Sequence, residues 1–91
     1  MAMIEGLKDK VVIVTGGGHG IGKRYCLGLG RAGSRVVVAD TDKRATDQVS
    51  AEVLQQNGAQ ALALHTDVAD ERSTKEMAAA VLQHFGRIDV L

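Results

Sequence analysis

Thr15-Gly16-Gly17-Gly18-His19-Gly20-Ile21-Gly22 is the stretch whose residue types and spacing suit it to hold an anion. Glycine accepts positive φ and lets backbone N–H groups approach a phosphate that a Cβ would keep at a distance. Gly16, Gly20 and Gly22 stand at G-x-x-x-G-x-G, one residue longer in the first gap than the G-x-G-x-x-G dinucleotide fingerprint. Asp40 follows, twenty-four residues after Gly16, at the end of an apolar run. A carboxylate there accepts hydrogen bonds from the hydroxyls of an adenosine ribose and repels a 2'-phosphate, with Thr41 flanking the ribose from the same loop. The pattern therefore favours NAD over NADP, although His19, Lys23, Lys43 and Arg44 are near enough in sequence to offer a phosphate some positive charge. Asp67-Val68 suits adenine, the carboxylate accepting from the amino group and the valine packing on the ring. The alternative for Asp67 is a helix N-cap ahead of Ala69-Asp70-Glu71.

A second nucleotide-binding pattern overlaps the first. Gly17 to Lys23 fits G-x-x-x-x-G-K, the P-loop of nucleoside-triphosphate binders, but the next position is Arg24 where Ser or Thr would hold magnesium. An arginine cannot coordinate a cation, which makes this the weaker reading. His19, His65 and His84 show no ligand spacing with each other or with Cys26, so no metal site is expected. Cys26 and Tyr25 read as core or helix-surface residues.

The elements that must position these residues alternate. Val11 to Thr15 is continuously apolar and β-branched, the pattern of a strand covered on both faces. A helix is expected over 20–32, with Ile21, Tyr25 and Leu29 at four-residue spacing, Gly33 as its C-cap, and Gly28 and Gly30 allowing close packing on the sheet. Arg35 to Ala39 forms the second strand. A second helix over 43–56 carries Ala45, Val49 and Val53 and ends at Asn57-Gly58, and a third strand runs from Gln60 to His65. A third helix over 70–85 turns Met77, Ala78, Val81, Leu82 and Phe85 inward, and a fourth strand begins at Arg87. This β-α-β-α-β-α-β order predicts a partial, Rossmann-like, doubly wound parallel α/β sheet of order 3-2-1-4. Ligands of such sheets bind beyond the carboxyl ends of the strands where the order reverses, which is where the glycine turn falls.

Composition narrows the partners. With 45% hydrophobic and 24% charged residues and a formal net charge of zero, the chain has no basic excess for nucleic acid or a membrane surface. Its 91 residues with no proline-rich or low-complexity linker read as one domain, which buries only about 60 to 65% of the surface of its unfolded chain. One cysteine excludes an internal disulfide, no run approaches a membrane span, and the first residues lack a secretion signal, so the cytoplasm is the expected compartment.

Thr15-Gly16-x-x-x-Gly20-Ile21-Gly22, the acid Asp40, Asp67-Val68 and the ending Gly86-Arg87-Ile88-Asp89-Val90-Leu91, in that order, make the chain resemble the short-chain dehydrogenases/reductases along its whole length. The resemblance implies that Gly16, Gly18, His19, Gly20, Ile21 and Gly22 hold the cofactor pyrophosphate, Asp40 the adenosine ribose, and Asp67 and Val68 the adenine. Members of that family continue with Asn-Asn-Ala-Gly, a catalytic Ser and a Tyr-x-x-x-Lys pair, none of which occurs here. Tyr25 is the one tyrosine, and Leu29 stands where the lysine would. Hydride transfer to a carbonyl needs a proton partner, so the expectation is the cofactor-binding amino-terminal part of an NAD-dependent oxidoreductase, inactive by itself. The alternative is a non-catalytic dinucleotide-binding or interaction module. In either case an exposed sheet edge predicts self-association.

Overall fold

The computed structural model describes residues 6–56 and 59–90. Strands β1 (Val11–Thr15), β2 (Arg35–Asp40) and β3 (Gln60–His65) alternate with helices α1 (Gly20–Arg31), α2 (Lys43–Leu54) and α3 (Glu71–Phe85). All pairing is parallel in the order β1-β2-β3, with Thr15 opposite Ala39, Ala39 opposite Leu64 and Asp40 opposite His65. The result is a partial Rossmann-like α/β fold.

Successive strand residues point to opposite faces, and here both faces are covered, which is why the runs show no polar alternation. Val11, Ile13, Val37 and Ala39 pack with Met77 and Val81 of α3, with Leu62, Leu64, Phe85 and Ile88 at the margin. Val36 and Val38 pack on the other side with Cys26 of α1 and with Val49 and Val53 of α2.

Helix α1 buries a different row from the one expected. Ile21 and Tyr25 are 70% and 63% exposed, whereas Cys26 and Gly30 are buried. The row Gly22-Cys26-Gly30 has the same four-residue spacing, one position round the helix. Small residues win because the backbone comes close: a Cβ on Gly22 would overlap the Gly16 carbonyl, and one on Gly30 would lie 2.9 Å from Val53 Cγ1. Gly30 thus packs on α2 instead of the sheet, and Gly28 faces open space. The helix stops at Arg31. Gly33 at φ +86° follows it, with its N–H on Gly30 O (3.0 Å) and that of Ser34 on Leu29 O (3.0 Å), a Schellman ending.

Ala45, Val49 and Val53 of α2 are buried as expected, and the helix ends at Leu54; Asn57-Gly58, expected to stop it, lies outside the described residues. In α3 the row Met77-Val81-Phe85 faces the sheet and Ala78 is half-buried. Leu82, one position round, is 50% exposed instead of inward.

The expected fourth strand is not formed among the described residues. One isolated parallel bridge, Val12 to Val90, stands in its place on the free edge of β1. Main-chain bonds make this start of pairing, Ile13 N–H donating to Val90 O (2.9 Å) and the Asp89 and Val90 N–H groups to Val11 O (3.0 and 3.1 Å), and the Asp89 side chain adds another, Val11 N–H donating to its Oδ2 at 2.9 Å. Arg87 holds the other oxygen at 2.6 Å. The Arg87 side chain first, and the Val11 N–H second, hold the Asp89 carboxyl below its usual range. A depressed carboxyl contributes stability above its unfolded value, near pH 4, and loses it as pH falls through the folded value. The thermal midpoint is therefore expected to fall between pH 5 and pH 3, and to fall less in Asp89→Asn; equal slopes would contradict the pairing.

Cys26 is fully buried, its thiol pointing at the Gly17 carbonyl 3.8 Å away, and burial pushes its pKa up to about 12. Thiolate is the reactive form, so labelling at pH 8 is expected to run more than about a thousandfold slower in the folded chain than in urea. Comparable rates with and without urea would place the thiol at the surface.

Candidate functional site at the carboxyl edge of the sheet

Three loops meet where the strands end, and main-chain bonds tie them together. Gly17 N–H donates to Ala39 O (3.1 Å), and Thr66 N–H donates to Asp40 O (2.8 Å). Asp40, half-buried, stands between the glycine turn and the loop after β3. Its Oδ2 accepts the Gly18 N–H at 3.1 Å, and its Oδ1 accepts the Asp42 N–H at 3.2 Å and the Thr41 hydroxyl at 3.4 Å.

The turn itself is shaped by glycine at two kinds of position. Gly16 and Gly20 take φ of +69° and +54° with nothing within 4 Å of where a Cβ would project, so both open onto free space above the sheet. Gly18 is enclosed: a Cβ there would lie 2.8 Å from Ala45 Cβ and 3.0 Å from Asp40 Oδ2. Gly22 seats α1 directly against the turn.

Helix α1 begins at Gly20 with His19 as its N-cap residue. Among the described residues no side chain caps it, and no acid lies in its first turn. Helices α2 and α3 are capped instead, Asp42 accepting from Ala45 N–H and Asp70 from Arg72 and Ser73 N–H. The positive end of α1 is thus left without a capping carboxylate in its first turn. A cradle with backbone N–H donors, no Cβ at Gly16 or Gly20 and a fixed acid alongside fits a pyrophosphate joined to a ribose.

The residues singled out in the sequence fall as follows. Gly16, Gly18, Gly20 and Gly22 form the turn with Asp40 against it, Thr41 is exposed beside Asp40, and Ile21 stands exposed at the head of α1. His19 reaches across to the loop after β2, its Nε2 3.0 Å from Asp42 Oδ2. Asp67 and the 62% exposed Val68 lie in the loop after β3, joined to Asp40 through the Thr66 backbone and not through their own side chains. Asp67 Oδ1 accepts the Ala69 N–H at 3.0 Å, an Asx turn, while the N-cap of α3 belongs to Asp70.

Three members of this edge were not anticipated. Gly17 is buried, and a Cβ on it would lie 2.9 Å from Val14 O and 3.0 Å from Cys26 Sγ. Thr66 is 2% exposed. Asp42 caps α2 and pairs with His19; its position ahead of Lys43 at a helix start was the signal for the cap. Two surface concavities lie elsewhere, one over α3 lined by Glu71, Arg72, Lys75, Glu76 and Ala79, the other beside β3 at Leu62, Leu64, Ala80, Gln83 and His84. The first is walled by exposed i,i+4 ion pairs and the second by apolar sheet margin, and neither holds convergent polar groups like those around Asp40. No helix among the described residues is long and apolar enough to cross a membrane.

Comparison with known proteins identifies the family and the fold. The short chain dehydrogenase family description matches residues 10–91. The chain is 40% identical over 84 residues to the short chain dehydrogenase/reductase astE of Aspergillus oryzae, which covers 92% of this chain and 32% of that protein. It is 32% identical to the short-chain dehydrogenase/reductase homolog YusS of Bacillus subtilis, covering 91% of this chain and 76% of YusS. Among solved structures, a 7α-hydroxysteroid dehydrogenase complexed with NADH and 7-oxo glycochenodeoxycholic acid superposes with a TM-score of 0.88 at 34% identity, covering 92% of this chain and 33% of that one. The chain thus spans about a third of the length of astE and of the hydroxysteroid enzyme, and about three quarters of YusS. Because the family match runs from residue 10 to residue 91 and takes in every strand and helix, the chain belongs to the short-chain dehydrogenases.

Proposed function

We propose that residues 1–91 form the NAD-holding part of an oxidoreductase that moves a hydride between a nicotinamide cofactor and an alcohol or carbonyl substrate. The observation that carries this is the uncapped N-terminus of α1 opening from a glycine turn whose Gly18 N–H rests on Asp40. Gly16, Gly18, His19, Gly20, Ile21 and Gly22 receive the pyrophosphate, Asp40 and Thr41 the adenosine ribose, and Asp67 and Val68 the adenine. The nicotinamide ring, when bound, supplies the hydride chemistry. The likeness to an enzyme complexed with NADH supports the cofactor class. Asp40 supports NAD over NADP, because a 2'-phosphate would bring like charge against its carboxylate.

This chain's own residues bind and orient, and the proton partner is not among them. Tyr25, the one tyrosine, is exposed on α1 with Leu29 one turn further on. The chain by itself is therefore inactive in hydride transfer. A second reading, a dinucleotide-binding module without chemistry, is favoured by the match to YusS, a relative of which this chain covers 76%. In both readings the sheet edge at the fourth-strand segment, where Val90 bridges Val12, favours self-association.

Calorimetric titration of the purified chain with NAD and NADP tests the common core of the two readings. NAD is expected to bind more than about tenfold tighter than NADP, the cost of like charges brought together. A chain that melts cooperatively yet binds neither cofactor would end the proposal.

A further inference from the structure

Helix α1 lacks a capping side chain of its own, yet the residue at its N-cap is engaged 23 positions further along the chain. His19 Nε2 lies 3.0 Å from Asp42 Oδ2, while Asp42 Oδ1 accepts the Ala45 N–H that begins α2. One carboxylate thereby joins the start of α1, where the pyrophosphate is placed, to the start of α2, whose preceding loop carries Asp40. The neighbouring cations are engaged elsewhere: Lys23 Nζ is 3.6 Å from Glu52, and Lys43 Nζ is 2.8 Å from Asp47. Asp40 is occupied by the Gly18 and Asp42 N–H groups, and Arg44 forms no ion pair among the described residues. His65 pairs in register with Asp40 on β3, at the far side of β2 from the turn. Of these groups His19 is the titratable one set against Asp42. The Ala45 N–H first, and His19 second, hold the Asp42 carboxyl below its usual range, so it remains ionised wherever a histidine titrates.

We propose that His19 and Asp42 form a proton-dependent clasp that holds the phosphate turn against the ribose loop, so that dinucleotide affinity rises as pH falls through the histidine range. The inference rests on the NAD-binding reading above. Protonated His19 gives Asp42 a charged donor and stands at the same time beside the pyrophosphate position. Neutral His19 leaves a single uncharged hydrogen bond, and the two loops part more readily. His19 and Asp42 act here as positioning residues for Asp40 and the turn. Both side chains are well exposed, at 65% and 48%, so solvent keeps the effect modest.

The test is the dissociation constant for NAD at pH 8.0 and pH 5.5 in the wild type, in His19→Gln, which keeps a donor without a titrating charge, and in Asp42→Asn, which keeps the helix cap. The wild type is expected to bind about two- to fivefold tighter at the lower pH, and both variants to bind equally at the two values. A wild type without pH dependence overturns the clasp. So does Asp42→Asn with the wild-type slope, since His19 would then act on the ligand alone, or His19→Gln with that slope, which would assign the effect to His65. A second readout needs no cofactor: the loss in thermal midpoint on Asp42→Asn is expected to be larger at pH 5.5 than at pH 8.0. If NAD binds at neither pH, the parent reading fails, and an equal loss in thermal midpoint at the two pH values then overturns the clasp independently.

Discussion

Gly22→Ala is expected to destabilise the chain by more than about 3 kcal/mol and to remove dinucleotide binding with it, whereas Gly28→Ala, six residues along the same helix, is expected to stabilise it by up to about 1 kcal/mol. Both replace a glycine inside α1, and alanine has the higher helix propensity at each. What separates them is the surroundings. A Cβ at Gly28 meets nothing within 4 Å, while one at Gly22 overlaps the Gly16 carbonyl and lies 3.1 Å from Gly17 Cα. Those obstacles are backbone, with no side chain to swing aside, so either α1 lifts from the sheet or the turn unwinds. A domain of this size has in total about 5 to 14 kcal/mol of stability, so the Gly22 change removes a large share of it. Thermal melts of the two variants should move in opposite directions by several degrees or more, about 4 to 8 °C per kcal/mol. A Gly22→Ala chain that melts with the wild type would show that α1 does not press on the turn as described.

Asp40→Ala is expected to weaken NAD binding by about one to two orders of magnitude, with hydrogen bonds to a charged acceptor the main loss. The variant also removes the acceptor for the Gly18 and Asp42 N–H groups and for the Thr41 hydroxyl, so some of the effect is loosened loops. NADP separates the two contributions. Loosened loops penalise both cofactors alike, but a lost ribose contact and a removed negative charge raise NADP relative to NAD. Titration of each cofactor into wild type and Asp40→Ala is therefore read as a ratio. A folded variant in which the ratio stays at its wild-type value would take the ribose away from Asp40.

How far the chain can be read before it is folded depends on which physical term decides each element. The three strands were legible to within one residue, Asp40 extending the second, because runs such as Val36-Val37-Val38 suit only a position covered on both sides, and these three valines are fully buried. The Gly33 ending of α1 was legible for a similar reason, since few residues accept that backbone angle. The inward face of α1 was not, because hydrophobicity points to Ile21 and Tyr25 while close approach to Gly16 and Val53 selects Gly22, Cys26 and Gly30. Steric fit between residues 6 and 23 positions apart, Gly22 with Gly16 and Gly30 with Val53, leaves little mark on local periodicity. Leu82 shows the same limit on α3, where one helix meets one half-sheet and a single row suffices. The segment after Gly86 has the composition of a strand, and among the described residues it begins to pair along β1 through the Val12 to Val90 bridge. At the candidate site the turn and Asp40 could be placed by spacing alone. The link through Asp42 could not, because a capping aspartate gives no sign in sequence of what its second oxygen will meet.

The loops at the carboxyl edge hang from main-chain carbonyls of the neighbouring strand, Gly17 from Ala39 and Thr66 from Asp40. Suspension of this kind is indifferent to side-chain identity at the points of attachment. The segment between Thr66 and Asp70 is held on top of this by the Asp67 N–H on Ser73 Oγ (2.9 Å) and by the Asx turn of Asp67, so its two ends and Asp67 fix its path while Val68 and Ala69 stand free to vary. Substitution at Val68 and Ala69 therefore leaves the path of this loop intact. The loop after β2 lacks that freedom, because there the anchor is a side chain, the Asp40 carboxylate that accepts the Gly18 and Asp42 N–H groups.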